Sequence, residues 1–348
     1  MQAPTTLYAD YAATTPLAPQ AIEAMMPWLS TSFANASGLY AAAREARKAI
    51  DEAREIVAAA VGARAEEVVF TSGGTESDNL AVKGAAWHGR EQGRDGVVVT
   101  AFEHHAVLDP ATWLERSGFR VSRATVTGDG IVDLDHLRSL VDDRTAVVSV
   151  MWANNEVGTI QPVAEAAQIA RTAGAVFHTD AVQALPWLPL GGVDAGLVTL
   201  AAHKCHGPKG VGALVVHRGV KIQPLLHGGG QERGIRSSTY NTMGIVGFGA
   251  AVQACMRDRE ESAARVGAMR DRLQAGLVAR VPDLLVNGAG APRLPNALSF
   301  CIPGIESEPL LLLLDGDGVA ASAGSACSSG ASEPSYVLRA MGLAPALA

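Results

Sequence analysis

The sequence has 348 residues, 48% of them hydrophobic and 18% charged, which is enough for one large domain with a substantial core plus a smaller domain. The formal net charge of −7 comes without a run of Lys and Arg, so nucleic acid and anionic membranes are poor candidates for direct partners. No secretory signal and no apolar run of membrane-spanning length is visible, so we expect a cytoplasmic protein.

Short β-rich segments alternate with helical patterns through the first two thirds of the chain. The predicted strands are residues 66–72, 96–101, 146–151, 175–180, 196–201 and 212–217. One stripe of apolar residues at helical spacing lies within Tyr40–Val61. Its members are Ala43, Ala46, Ile50, Ala53, Val57 and Ala60. Strands that are apolar on both faces and alternate with helices predict an α/β fold whose sheet is covered on both sides.

The pattern changes near residue 246, where a long charged helix is predicted at roughly Arg257–Val281, followed by a loop, a short strand and a final helix. We therefore predict a large domain at 15–245, joined through the segment 227–239 to a smaller one. The smaller domain is predicted to comprise residues 1–14 and 246–348.

The four cysteines are widely spaced and form no C-x-x-C pair, which argues against a disulfide framework and a structural zinc site, and we expect no bound metal. They are Cys205, Cys255, Cys301 and Cys327. Cys327 lies in the stretch ASAGSACSSGASEP, among residues too small to pack around a thiol, and Gly324 and Gly330 bracket it. Since a free cysteine is usually a small buried hydrophobe, this setting predicts a thiol that has to move.

Polar residues follow several predicted strands, at the carboxyl ends where open α/β sheets bind ligands. Gly74 and Thr75 stand between a strand and a helix, as in a phosphate site or in an ordinary Gly-rich turn. Asp180 ends a strand, where it either caps a helix or pairs with a pyridinium nitrogen. Lys204 follows another strand, as a solvated residue or as an amine poised to bind an aldehyde.

The combination of these features favours one cofactor over the separate structural explanations. A phosphate cradle, a strand-end aspartate, a lysine and a flat ring such as that of His104 are the parts that hold pyridoxal 5′-phosphate.

In these residues and in the motifs around them, the chain resembles the cysteine desulfurases of the NifS/IscS type. These are a class V aminotransferase-like branch of the fold-type I pyridoxal-phosphate enzymes. The resemblance covers essentially the whole chain. Its motifs are YADYAATTP, FTSGGTESDNLAVKG, EHHAVLD, MWANNEVGTIQPV, HTDAVQ, HKCHGPKGVGAL, HGGGQERGIRSST and GSACSSGASEPSYVLRAMGL. It implies a large domain with a mainly parallel seven-stranded sheet, a smaller α+β domain and a homodimer.

The resemblance also implies a role for each site residue. Lys204 binds the cofactor aldehyde and moves the proton on the substrate Cα, and the Cys327 thiolate collects the substrate's sulfur as a persulfide. His104 stacks on the ring and is a candidate acceptor of the Cys327 proton. The remaining cofactor contacts are Gly74, Thr75 and His203 to the phosphate, Thr239 reaching the phosphate from a partner subunit, Asp180 to the ring nitrogen, and Gln183 and Asn155 near the ring hydroxyl.

The implied activity is release of alanine from L-cysteine, with sulfur passed to acceptor proteins for iron–sulfur cluster assembly, tRNA thiolation or another thio-modification. Two alternatives remain open: a selenocysteine lyase or another class V enzyme, and a weakened chain that serves as a scaffold or sulfur-relay partner. The scaffold alternative rests on the absence, from the 348 residues given, of the arginine that binds the substrate carboxylate, which the resemblance places after residue 348. Because a bidentate carboxylate grip is hard to replace, we expect the sequence to be incomplete at this end.

Overall fold

The computed structural model describes residues 6–324 and 334–347. Its strands are β1 (Leu7–Tyr8), β2 (Val68–Thr71), β3 (Gly96–Thr100), β4 (Arg120–Ala124), β5 (Thr145–Ser149), β6 (Val176–Asp180), β7 (Leu197–Ala201), β8 (Gly212–Val216), β9 (Leu285–Val286), β10 (Phe300–Cys301) and β11 (Val319–Ala320). Its α-helices are α1 (Pro19–Ser30), α2 (Ala41–Ala60), α3 (Gly74–Glu91), α4 (His105–Arg116), α5 (Leu134–Leu140), α6 (Val163–Thr172), α7 (Thr242–Arg280), α8 (Ser307–Gly316) and α9 (Tyr336–Ala340). Short 3₁₀ helices occur at Ala65–Glu67, Ala202–Lys204 and Glu232–Gly234.

The central sheet has seven strands in the order β2-β8-β7-β6-β5-β3-β4. All of its neighbours pair in parallel except β8, which is antiparallel to both β2 and β7. The predicted mainly parallel seven-stranded sheet is therefore confirmed. Each predicted strand is present, and β4 is an additional, partly exposed strand at the edge of the sheet whose two arginines are exposed.

The core lies on both faces of this sheet. Along β3, Val97 and Val99 join the cluster formed with α3 and α4, whereas Val98 joins the cluster formed with α2, α6 and α7. This alternation follows from the twofold period of a strand, because successive side chains point to opposite faces. The predicted apolar stripe of α2 is buried along its whole length, from Ala43 to Ala60.

Helix α7 is longer than expected, with 39 residues that begin at Thr242 instead of near Arg257. Its first part packs against α1 and α2, and a Cβ at Gly249 would lie 2.9 Å from the Ala53 Cβ, so only glycine allows this approach. The Gly-rich start of α7 has low helix propensity, which is why its pattern did not indicate a helix. The predicted division between residues 245 and 246 falls inside α7, and it stays a prediction.

Small two-stranded sheets lie outside the central sheet: β1 pairs in parallel with β11, and β9 pairs antiparallel with β10. The first pairing brings the start of the chain to the residues that precede the Cys327 segment. Within residues 6–324 and 334–347, no helix has both the length and the apolar character needed to cross a membrane.

Candidate active site

The residues that follow β2, β6 and β7 meet at the carboxyl edge of the sheet. Gly74 opens α3 after β2, Asp180 is the last residue of β6, and Lys204 lies three residues after β7. A Cβ on Gly74 would lie 3.2 Å from Val182 Cγ2 and 3.6 Å from the Ala201 Cβ. Three of the predicted site segments are therefore in van der Waals proximity, and glycine at position 74 keeps them close.

The Lys204 amine is held by the N-terminal segment of the chain. Its Nζ donates hydrogen bonds to the carbonyl oxygens of Ala12 and Ala13, the latter at 2.8 Å. Gln183 Nε2 donates to the same Ala12 oxygen at 2.9 Å. One backbone carbonyl thus joins two predicted site residues. Ala12 and Ala13 were not predicted as site residues, because a backbone carbonyl leaves no residue-type signal.

His203 also contacts this N-terminal segment. Its Nδ1 lies 3.2 Å from Thr14 Oγ1, and its carbonyl oxygen accepts a hydrogen bond of 2.9 Å from Thr15 Oγ1. Burial, helped by the positive charges of Lys204 and Lys209, lowers the pKa of His203 to about 4. The imidazole is therefore neutral at physiological pH.

Asp180 is buried, and its Oδ1 accepts a hydrogen bond of 2.9 Å from the Val182 backbone N–H. Burial raises the pKa of Asp180, while that N–H and the charges of His104 and Lys204 act in the opposite direction. The carboxyl group is therefore within electrostatic reach of both predicted catalytic side chains. A cation placed against it would favour its ionised form.

The His104 ring is fixed by its position as the N-cap of α4. Its Nδ1 accepts a hydrogen bond of 3.0 Å from the Ala106 backbone N–H, so a neutral ring carries its proton on Nε2. Burial lowers the pKa of His104, and Lys204 lowers it further against the opposing charge of Asp180. The ring is therefore neutral, with Nε2 as a donor.

A buried polar layer lies beneath Asp180. His178 is hydrogen-bonded through Nδ1 to Ser149 Oγ at 2.9 Å and through Nε2 to Thr199 Oγ1 at 3.0 Å. Asp78 Oδ1 lies 3.5 Å from the same Nε2. Burial lowers the pKa of His178 to about 3, while burial and the charge of Asp180 raise the pKa of Asp78 far above its usual range. His178 is therefore neutral, and Asp78 is held toward its neutral form beside the Asp180 carboxyl.

Three predicted cofactor residues have fewer contacts within the chain. Asn155 Oδ1 is buried and has no hydrogen-bond partner among the described residues. Thr75 is exposed in the first turn of α3, and Thr239 is exposed at the end of the segment 227–239. Arg236 and Glu76 tie that segment to the first turn of α3 by an ion pair of 2.7 Å.

Cys327 and Gly330 lie outside the described residues, but the two flanks of their segment are described. Ser335 Oγ donates a hydrogen bond of 2.5 Å to Glu156 Oε2, and a Cβ added to Gly324 would overlap the same oxygen. The hydroxyl of Tyr336 donates to the Glu103 carbonyl at 2.8 Å, immediately before His104. Both flanks therefore attach beside predicted cofactor residues, because Glu156 directly follows Asn155.

Glu156 gives this attachment a pH dependence. Burial raises the pKa of Glu156 from 4.5 to about 7, against the opposing hydrogen bond from Ser335. The pKa of Glu156 is higher in the folded protein than in the unfolded protein. The wild type is therefore expected to lose stability as the pH rises from about 4.5 to about 7, whereas a variant that cannot ionise at this position does not. The free energy of unfolding of Glu156→Gln minus that of wild type is expected to increase by about 2 kcal/mol between about pH 5 and about pH 8. Urea unfolding of both proteins at the two pH values measures this difference, and an unchanged difference would contradict it.

Comparison with known proteins shows which family the chain belongs to. The aminotransferase class-V family model matches residues 7–344. The cysteine desulfurase IscS of Clostridium botulinum is 44% identical over 341 residues, which is 97% of this chain and 86% of that protein. The IscS-like cysteine desulfurase of Mycobacterium tuberculosis is 48% identical over 344 residues, covering 97% and 87%. The chain belongs to the cysteine desulfurases of the class V aminotransferase family.

Solved structures of similar proteins agree with this assignment. A NifS-like protein superposes with a TM-score of 0.91 at 36% identity, covering 98% of this chain and 91% of that one. A structure described as SspA in complex with cysteine has a TM-score of 0.86 at 33% identity, covering 98% and 96%. The predicted family and the fold-type I class are confirmed, and the chain is a pyridoxal-phosphate-dependent enzyme.

The residues of this site fit that cofactor. The first turn of α3 presents backbone N–H groups and the positive end of its helix dipole, which bind a phosphate. Asp180 offers a buried carboxyl for a ring nitrogen, Lys204 offers a primary amine for an aldehyde, and Asn155 has a buried amide oxygen without a partner in the described chain.

Proposed function

We propose that this cysteine desulfurase removes sulfur from L-cysteine, releases L-alanine and holds the sulfur as a persulfide on Cys327. The observation that carries the proposal is the placement of the Lys204 amine at the carboxyl edge of the sheet, within electrostatic reach of Asp180 and His104. The structure solved with cysteine shows that a protein of this shape binds that amino acid, and it supports the choice of substrate.

Pyridoxal 5′-phosphate, when bound, supplies an electron-withdrawing ring that stabilises negative charge on the substrate Cα. Lys204 binds the cofactor's aldehyde and moves the Cα proton. Its hydrogen bonds to the Ala12 and Ala13 carbonyls hold the amine in place. Asp180 would keep the ring nitrogen protonated, and the buried His178 beneath it is neutral and so does not compete for the carboxylate as a cation.

The other predicted residues hold the cofactor in position. Gly74, Thr75 and neutral His203 bind the phosphate, together with Thr239 of a partner subunit. Gln183 and Asn155 would contact the ring hydroxyl, which would give Asn155 Oδ1 the partner that it lacks within the described chain.

His104 stacks on the ring and presents its Nε2–H. To accept the Cys327 proton, its Nδ1 must first release the Ala106 N–H. The Cys327 thiolate attacks the sulfur of bound cysteine, so that a sulfur–sulfur bond forms while the carbon–sulfur bond breaks. The electron pair of the broken bond stays with the carbon fragment, which becomes alanine after protonation.

A homodimer completes this arrangement. The region of α1 and the residues that follow it exposes several large apolar side chains, including Phe33 at 85% and Leu39 at 90% exposure. A second copy of the chain covers such a surface and brings its exposed Thr239 to the phosphate. We place the protein in the cytoplasm, where acceptor proteins for cluster assembly or thiolation receive the persulfide sulfur.

The test is product formation by the purified chain loaded with pyridoxal 5′-phosphate. With L-cysteine and a reducing thiol, we expect alanine and sulfide in equal amounts. Asp194→Asn, which changes an exposed carboxylate remote from the site, should leave both rates unchanged. Alanine from L-selenocysteine but not from L-cysteine would identify a selenocysteine lyase instead. Binding of the cofactor without alanine from either amino acid would indicate the weakened scaffold.

A further inference from the structure

Two cysteines far apart in the sequence meet directly beside Lys204. Cys205 follows Lys204 and ends the 3₁₀ helix Ala202–Lys204, and its fully buried Sγ donates a hydrogen bond of 3.2 Å to the Ala202 carbonyl. Cys255 lies on α7, and its Sγ donates a hydrogen bond of 3.3 Å to the Cys205 carbonyl. Both sulfur atoms are therefore at the same tight turn, and both thiols are free.

The two thiols have opposite acid–base properties. The neighbouring thiol is the largest influence on the pKa of each cysteine, and it acts in opposite directions on the two. This contact, followed by burial, raises the pKa of Cys205. The same contact lowers the pKa of Cys255, with further help from the guanidinium of Arg259. Arg259 Nε is buried and has no hydrogen-bond partner among the described residues, so its positive charge remains available to a neighbouring thiolate.

These properties match the two roles in a redox-sensitive thiol pair. A reactive thiol is partly exposed and close to a cation, and a second thiol lies near enough to resolve the oxidised product. Cys255 is half-buried on α7, whereas Cys205 is fully buried. Oxidant therefore reaches Cys255 first, and Cys205 is the resolving partner.

We propose that Cys205 and Cys255 form a modification site, which a hydroperoxide oxidises to a disulfide that displaces the Lys204 turn. The Cys255 thiolate attacks the peroxide oxygen, the O–O bond breaks, and a sulfenic acid forms with release of water or an alcohol. The Cys205 thiol then attacks the Cys255 sulfur, the S–O bond breaks, and water leaves as the disulfide forms. The two cysteines lose two electrons in total, and the peroxide gains them.

The disulfide acts on Lys204 through the backbone. A sulfur–sulfur bond of about 2.05 Å draws the Cys205 side chain toward α7 and removes its hydrogen bond to Ala202. The turn has little freedom to absorb this change, because Gly207 N–H also bonds to the Ala202 carbonyl and His206 has a left-handed φ of 63°. Lys204 directly precedes Cys205, so its amine is expected to shift from its contacts with Ala12 and Ala13.

The experiment treats the cofactor-loaded protein with hydrogen peroxide and maps its peptides without reduction. We use the Cys327→Ser background so that Cys327 cannot react. The expected result is a cross-linked pair of peptides that contain Cys205 and Cys255 and lack two hydrogen atoms, together with a change in the absorbance band of the lysine-bound cofactor. Dithiothreitol should reverse both changes.

Cys255→Ser in the same background is the matched control, and it should show neither the cross-link nor the absorbance change. Cys255 oxidised to sulfinic acid without a cross-link, or a cross-link to Cys301, would overturn the proposal. A cross-link that leaves the cofactor band unchanged would contradict the coupling to Lys204. The cross-link can also be mapped in the cofactor-free chain, so its result is separable from the proposed desulfurase activity.

Discussion

Lys204→Ala is expected to lower alanine formation from L-cysteine by about 10⁴-fold or more, because it removes both the amine that binds the cofactor aldehyde and the group that moves the Cα proton. The variant should also lack the absorbance band of the lysine-bound cofactor. The structure supports a local effect, since Lys204 is only partly buried and its amine donates hydrogen bonds to the Ala12 and Ala13 carbonyls. Alanine release and the absorbance spectrum measure the two losses separately.

Lys209→Ala is the matched control, because Lys209 is an exposed lysine five residues further along the chain. It should keep both the band and most of the activity, although it removes one of the charges that lower the pKa of His203. If Lys204→Ala retained alanine release near the wild-type rate, the role of Lys204 in proton transfer would be wrong.

Cys327→Ser is expected to abolish persulfide formation and to lower alanine release by on the order of 10³-fold or more, as for loss of a catalytic nucleophile. A serine hydroxyl is not ionised at neutral pH and cannot take the substrate's sulfur. The cofactor band should remain, because Cys327 is not required for attachment to Lys204. Mass spectrometry of the protein after addition of L-cysteine detects the bound sulfur atom.

Cys301→Ser is the control for this second prediction, since Cys301 lies on β10, where its thiol contacts Asn287. It should still accumulate one sulfur atom on Cys327. Undiminished alanine release by Cys327→Ser would contradict the persulfide mechanism, because the carbon–sulfur bond would then break without the nucleophile.

The central sheet was predictable because its strands are buried on both faces. Gly96–Thr100 is apolar except for its last residue and Gly212–Val216 is apolar throughout, so their composition alone indicated buried strands, and both are fully buried. The edge strand Arg120–Ala124 was not predicted, because it is only partly buried and exposes an arginine on each face. The start of α7 was not predicted because its glycines serve close packing against Ala53 instead of helix propensity.

The sequence pointed to candidate site residues where a charged side chain ends or directly follows an apolar strand. Asp180 and Lys204 each have an ordinary structural explanation when taken alone, and they were predicted as site residues because they occur together with a Gly-rich turn and the His104 ring after successive strands. The Ala12 carbonyl was not found, because a backbone group has no residue-type signal. His178 was not found because its partners, Ser149 and Thr199, are on other strands and meet it only through the strand register.

Contacts between residues that are far apart in the sequence could not be predicted either. The pairing of Cys205 with Cys255 joins a turn after β7 to a helix 50 residues later, and spacing alone cannot indicate it. Likewise, Glu156 and Ser335 are 179 residues apart, and only the fold shows that the flanks of the Cys327 segment meet beside Asn155.

The site of covalent attachment of the cofactor tests the central claim most directly. The protein is loaded with pyridoxal 5′-phosphate, reduced with sodium borohydride so that the bond becomes permanent, digested and analysed by mass spectrometry. We expect the cofactor's added mass on Lys204 alone, and its loss in Lys204→Ala. A label on another lysine, or no label on a protein that still forms alanine from cysteine, would contradict the mechanism proposed for this chain.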